Sequence, residues 1–249
     1  MRGAALATAL SPVLGVSICC VHLLSKKSTI VFRWAVPSAK RLFAACQLGI
    51  SAFVGEISSG VTTVVFNMLI LKLAGNVGVA AYGVVANTSL VAAAVFNGVS
   101  QGSQPLLSDY YGKGQTESVR KVVRLGVCAA LVMAVLILGV VWALAEPITA
   151  VFNHEENVAL TAYAVTGLRL YFIGFLFAGF NIVGTGILSA VESAGWAFAA
   201  SISRGVVAII VCALVLSAFF GMNGVWLAFP AAELITSALV AAAFRKAVI

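Results

Sequence analysis

The sequence predicts an all-α integral membrane protein of about seven transmembrane helices. Three observations carry that expectation. Of the 249 residues, 62% are hydrophobic and 9% charged, whereas a soluble domain carries about 25% charged residues. The apolar residues gather into seven runs, each long enough to cross a hydrocarbon core. Lys and Arg gather in alternate loops between those runs, as they do in membrane proteins. So little charge does not keep a water-facing surface soluble. A soluble enzyme, a nucleic-acid-binding domain and a disordered chain are therefore disfavoured.

The first run, Gly3–Leu24, comes directly after Met1-Arg2. A signal peptide would end in a small-residue cleavage site and lead into a mature domain. The residues beyond this run are further apolar stretches, so it is read as a span. The others cover approximately Leu42–Leu71, Val79–Leu107, Val122–Ala145, Leu160–Ser189, Trp196–Phe220 and Asn223–Phe244. The 23 glycines suit close helix–helix approach in lipid. Alternating strand patterns are absent, which disfavours a barrel. Cys19, Cys20, Cys46, Cys128 and Cys212 form no C-x-x-C pair and read as small packing residues. His22 and His154 lack ligand-like companions, so no metal site is expected.

Loop charge sets the orientation. Lys26, Lys27, Arg33, Lys40 and Arg41 lie in the first loop, Lys113, Arg120, Lys121 and Arg124 in the third, and Arg245 and Lys246 in the tail. With alternating spans all of these share one side. The other side has Arg2 and Lys72, together with an acidic loop carrying Glu146, Glu155 and Glu156. By the positive-inside rule the basic side and the C-terminus are cytoplasmic and the N-terminus is outside. The net charge of +7 then needs no polyanion partner. An outside start without a cleaved signal would be natural if another helix preceded it, so the sequence is expected to lack its front. A weak internal repeat agrees. Met1-Arg2-Gly3-Ala4-Ala5-Leu6-Ala7 and Met222-Asn223-Gly224-Val225-Trp226-Leu227-Ala228 both open apolar spans that contain a proline, Pro12 and Pro230. Transporters are often built from repeated helical bundles.

Polar residues within the spans are the functional candidates, because a charge in mid-membrane costs at least about 2.5–3.5 kcal/mol on insertion scales. Glu56 lies in the second span, and helical geometry puts Ser59, Gly60, Thr63 and Asn67 on its face. That stripe reads as the wall of a wet cavity, or else as a packing face. Glu233 follows Pro230 by one turn in the last span. A carboxylate beside a proline kink suits a gate or proton site; the alternative is an ion pair with Arg204 or a tail residue. Asn97, Gln101 and Gln104 form an amide row before Pro105, and Asn181 and Thr185 lie a turn apart in the fifth span. Arg169 and Arg204 sit near the ends of their runs and read as snorkelling to headgroups. Ser108 to Gly114 reads as a cytoplasmic turn whose Gly-Lys-Gly lacks the spacing of a phosphate loop. With neither a serine–histidine–carboxylate set nor a metal signature, no enzyme is expected.

Between Gly49 and Gly114 the chain reads LGISAFVGEISSGVTTVVFNMLILKLAGNVGVAAYGVVAN and later FNGVSQGSQPLLSDYYGKGQ. With Ser203-Arg204-Gly205, Gly224-Val225-Trp226-Leu227-Ala228 and Glu233, this stretch resembles the MATE (multidrug and toxic compound extrusion) transporters. The match is to the bacterial branch with a glutamate in the seventh helix, here Glu56, and a Gln-Pro…Tyr-x-Gly turn after the eighth, here Gln104-Pro105 leading to Tyr111-Gly112. Full-length members have twelve helices in two lobes, with both termini cytoplasmic. The resemblance therefore implies the last helix of a first lobe and the basic inter-lobe loop in residues 1–41, and a six-helix C-terminal lobe in 42–249. The first lobe's ion-binding residues have no counterpart here, so a missing N-terminal lobe or a second copy is implied as partner.

The resemblance further implies an antiporter of the plasma membrane exporting cationic or amphipathic organic compounds in exchange for H+ or Na+, with no other cofactor and no nucleic acid. Glu56 would be the ion-coupling carboxylate and Glu233 a second. Protonating a carboxylate on a dry helix face removes a buried charge and biases an outward–inward equilibrium. Ser59, Thr63, Asn67, Asn97, Gln101, Gln104 and Asn181 would line the substrate cavity. One rival is a flippase for lipid-linked oligosaccharide of the same superfamily, but carboxylates and amides favour a cation over an anionic pyrophosphate lipid. Another is a seven-helix receptor or opsin, although the last run lacks the buried lysine a retinal protein needs. The third is an inactive or truncated half.

Overall fold

The computed structural model describes residues 2–24 and 38–247. The side chains of residues 2–8, 11, 22–24, 44, 45, 47, 48, 51, 52, 54–56, 58, 59 and 247 lie outside that description. The chain divides into two compact units, Met1–Leu42 and Phe43–Ile249.

The first unit holds α1 (Arg2–Leu24), whose interior contains Pro12. Its apolar stretch Pro12–Val21 is exposed throughout. Ser17 Oγ donates to the Val13 carbonyl at 2.8 Å.

The second unit is built from α2 (Ala39–Gly112) from Phe43 onward, α3 (Thr116–Ala143), α4 (Ala145–Phe152), α5 (Val158–Tyr171), α6 (Phe175–Ala190), α7 (Ala194–Ile202) and α8 (Ala208–Ala247). A 3-10 turn, Phe172–Gly174, joins α5 to α6, and a π-helical segment, Ser203–Val207, joins α7 to α8. At about 1.5 Å per residue, the 74 residues of α2 would far exceed a bilayer core of about 30 Å. The helix is broken at Gly75 (φ 63°, ψ −160°), and α8 at Gly221 (φ 57°, ψ −131°). These backbone angles are close to a region open essentially only to glycine. We call the limbs α2a (39–74), α2b (76–112), α8a (208–220) and α8b (222–247).

Four helical stretches among the described residues are long and apolar enough to cross a membrane: Gly60–Gly112, Thr116–Ala143, Val158–Ala190 and Ala194–Lys246. The glycine breaks divide the first and the last, which makes six passes; with α1 the described chain has the seven apolar helices expected from the sequence. Two boundaries differ from expectation. The helix runs through Pro105 and Tyr111 to Gly112, so the turn after it is only residues 113–115, with Gly114 at φ 70°. The acidic loop also begins with a short helix, α4, that the run-length reading missed.

α5 and α6 form the spine of the second unit. α6 packs against both α3 and α8, and α5 packs against α8. In lipid the hydrophobic effect does not drive helices together, so association rests on close contact between small residues. A Cβ on Gly167 would stand 3.0 Å from Trp226 and Val85, and one on Gly179 would meet the Phe96 ring at 2.5 Å. These glycines let α2b and α8b reach the spine. Around them an aromatic cluster fills the centre: Tyr171 stacks on Phe229 (centroids 4.2 Å), Phe172 on Phe175 (4.7 Å), and Phe66 lies against Tyr82 (5.5 Å). Trp226 is fully buried, and its indole N–H has no hydrogen-bond partner among the described residues.

The loop between α4 and α5 is tied by amides. Asn153 Nδ2 donates to the Asn157 carbonyl and to Thr161 Oγ1, both at 2.9 Å, and Asn157 Oδ1 caps α5 by accepting from the Leu160 amide at 3.1 Å. Asn157→Ala is expected to cost about 1 kcal/mol through loss of the cap, read as a lowered thermal-unfolding midpoint.

Candidate functional site: a buried carboxylate on three helices

Glu233 lies in α8b one turn after Pro230, whose missing N–H leaves the Trp226 carbonyl without its helical donor. Its residue exposure is 2%. A carboxylate so placed must be saturated with donors, and it is. Arg204 donates to Oε1 through Nε (3.1 Å) and Nη2 (2.7 Å). Asn181 Nδ2, from α6, donates to Oε2 at 2.6 Å and to the Glu233 carbonyl at 2.8 Å. Ser237 Oγ lies 3.1 Å from Asn181 Oδ1 and 2.9 Å from the same carbonyl, so it donates along either line. The two acceptors facing Nδ2, Oε2 and the Glu233 carbonyl, fix which end of the Asn181 amide is which. Side chains from α6, the π segment and α8b thus meet in a single carboxylate cluster.

The π segment supplies Arg204. An extra residue in a helical turn redirects the side chains there, and such bulges occur frequently at functional sites. Two hydroxyls brace this segment. Thr62 Oγ1 of α2a donates to the Gly205 carbonyl at 3.2 Å, and Ser203 Oγ lies 3.2 Å from Thr236 Oγ1. Tyr171 is close enough to feel both charges of the pair.

The structure unites only some of the residues singled out in the sequence. Asn181 and Glu233 are in direct contact and buried. Thr185 does not join them; its hydroxyl bonds back to the Asn181 carbonyl at 2.7 Å. Thr63 is exposed on α2a and hydrogen-bonds Tyr82, and Asn67 is half-buried one turn on. Asn97 and Gln101 are exposed on α2b, while half-buried Gln104 donates to Ser100 Oγ at 3.3 Å. Glu56 and Ser59 lie on α2a, but their side chains are outside the described residues. Arg204 corrects the sequence reading: it does not snorkel to headgroups, and only 26% of its side chain is exposed. The ion pair with Glu233 was the alternative the sequence left open. Arg169 behaves as an end residue, exposed and 3.7 Å from Glu146. Ser237 and Thr62 went unremarked in the sequence, because single hydroxyls in apolar runs carry no spacing signal. Among the described residues no cluster of His, Cys, Asp or Glu could hold a metal ion.

A family model described as MatE matches residues 52–240. The chain belongs to this family. Membership makes it a multi-pass integral membrane protein of a transporter family, not of an enzyme family. Among curated relatives it is 28% identical over 230 residues to the multidrug export protein MepA of Staphylococcus haemolyticus (strain JCSC1435). That match covers 90% of this chain and 49% of the relative. The chain thus spans about half the length of the relatives it matches. Its fold is similar to a multidrug resistance MATE transporter of the MOP superfamily in the outward-facing conformation, with TM-score 0.89 at 16% identity. That likeness covers 98% of this chain and 55% of the other. A second likeness, also at TM-score 0.89 and 16% identity, covers 98% of this chain and 55% of a MOP-superfamily transporter from Pyrococcus furiosus Vc1 (DSM3638). The reverse polarity of that protein's binding pocket is described as suggesting a different function.

Proposed function

We propose that this chain supplies the second lobe of a MATE antiporter of the plasma membrane, with its C-terminus in the cytoplasm. The transporter exports cationic or amphipathic organic compounds in exchange for H+ or Na+, and a first lobe or a second copy completes its cavity. The observation that carries this reading is the match of 90% of the chain to half of a relative named a multidrug export protein. Loop charge supports the orientation. Carboxylates and amides within the spans support a cation as cargo, because a positive ligand needs compensating charge in a low-dielectric site. Glu56 is the ion-coupling carboxylate and Glu233 the second. Ser59, Thr63, Asn67, Asn97, Gln101, Gln104 and Asn181 line the cavity.

The test is efflux of preloaded ethidium from an efflux-deficient bacterial host expressing the complete natural polypeptide. Glu56→Gln keeps the size of the side chain and removes its charge and its exchangeable proton. It is expected to lower energised efflux at least about tenfold, which corresponds to about 1.4 kcal/mol of lost coupling. Unchanged efflux would remove Glu56 from this role.

A further inference from the structure

The Glu233 carboxylate is already occupied. We infer that Arg204 is the resident cation of a cation site formed by Glu233 and Asn181, and that a coupling ion or organic cation reaches this carboxylate only by displacing the guanidinium. The inference rests on the antiporter reading above and adds the occupant of its second carboxylate.

The two halves of the pair are held very differently. Glu233 has a side-chain exposure of 3%, and Asn181 grips both its Oε2 and its own backbone carbonyl. Ser237 in turn holds the Asn181 amide. The acid is therefore immobile. Arg204 has one flank open, with 26% of its side chain exposed, and it is carried by the π segment. Its Nε and Nη2 bonds both go to the single oxygen Oε1. It is the member of the pair that can leave, and its departure would bare Oε1 while Asn181 keeps Oε2 in place.

Charge balance makes the exchange obligatory. A buried carboxylate and one guanidinium sum to zero. A second cation added beside them leaves a net positive charge in a low-dielectric site, which is strongly unfavourable. Swapping the guanidinium for the incoming cation restores neutrality, and the open flank gives Arg204 a way out of the site. Tyr171, the titratable neighbour of the pair, contributes no charge to this balance in its neutral form. The exchange also reaches α2a, because Thr62 is bonded to the carbonyl of Gly205, next to Arg204. The same helix carries Glu56, so movement of the π segment is passed to the limb bearing the first coupling carboxylate.

The experiment uses the complete natural protein in nanodiscs for binding and in proteoliposomes for transport, with tetraphenylphosphonium as the probe cation. Arg204→Gln removes the competitor and keeps the acid. Its Kd for the probe is expected to fall at least about tenfold, with KM and kcat of transport falling together because release slows. Glu233→Gln and the Arg204→Gln/Glu233→Gln pair are expected to lack the tight binding. A probe Kd in Arg204→Gln within twofold of wild type, or weaker, overturns the inference and makes the pair a structural tie. If Arg204→Gln does not fold, Arg204→Lys carries the test, since lysine keeps the charge but lacks the two-donor fork. Its Kd is expected to fall several-fold, and an unchanged value overturns the inference. If the wild type itself binds no tetraphenylphosphonium, the organic-cation reading fails, and this inference with it.

Discussion

Replacing Glu233 by alanine is expected to destabilise the protein by about 3–5 kcal/mol, the range for breaking one side of a buried ion pair. The loss should exceed that for Arg204→Gln, although both remove the same salt bridge. The two orphans differ chemically. A carboxylate left alone can take up a proton or a cation, and Glu233 would still have the Asn181 amide on Oε2. A guanidinium left alone cannot lose its charge. It keeps its charge while losing both bonds to Oε1. The alanine also vacates space in a contact where Asn181 and Ser237 both close on the Glu233 backbone carbonyl. Thermal-unfolding midpoints of the two variants of the complete natural protein, in one detergent, make the comparison. Equal midpoints would mean that lost packing, and not an uncompensated charge, sets the cost.

Gly224→Ala is expected to have the other large effect, at or beyond the upper end of the roughly 1–3 kcal/mol typical of overpacking. A Cβ at this position would run into the carbonyl group of Leu216 and lie 2.8 Å from the Ser217 backbone nitrogen. These are backbone atoms of α8a, folded back against the start of α8b by the break at Gly221. Backbone in a helix has no rotamer to move to. The hairpin would have to open, and α8b, with Trp226, Pro230 and Glu233, would shift with it. Gly179→Ala is the internal comparison. There the added methyl meets the side-chain ring of Phe96 at 2.5 Å, and a ring can tilt. The midpoint is expected to drop clearly further for Gly224→Ala than for Gly179→Ala. The reverse order would show that the hairpin has more freedom than its backbone contacts imply.

The glycine hairpins show what a sequence reading by composition passes over. Gly75-Asn76-Val77-Gly78-Val79 and Gly221-Met222-Asn223-Gly224-Val225 share one pattern: a glycine at positive φ, and three residues later a glycine pressed on the preceding limb. The sequence shows only short gaps between apolar runs there, because run lengths record hydrophobicity and not backbone angles. The same limit explains α4 and the π segment. Both are departures in hydrogen-bond register or helix direction within or next to apolar stretches.

The candidate site was legible in part. Glu233 and Asn181 stand out because polar groups inside apolar runs need a reason, and the structure gives each the other as its reason. Their meeting was not legible. Helical periodicity tells which residues share one face of one helix, and this carboxylate is bound from two other elements by residues 29 and 52 positions away in the chain. For Arg204 the sequence presents a basic residue near the end of an apolar run, for which headgroups are the ordinary partner. Only packing against α8b shows that a carboxylate lies nearer. The number of passes, the segregation of charge by loop and the need for a membrane are properties of local composition, since the bilayer reads each segment independently by length and polarity. Which polar groups pair, and where small residues let two backbones touch, depends on how separate helices dock. That is settled by complementarity between faces distant in the chain, which no single window of residues contains.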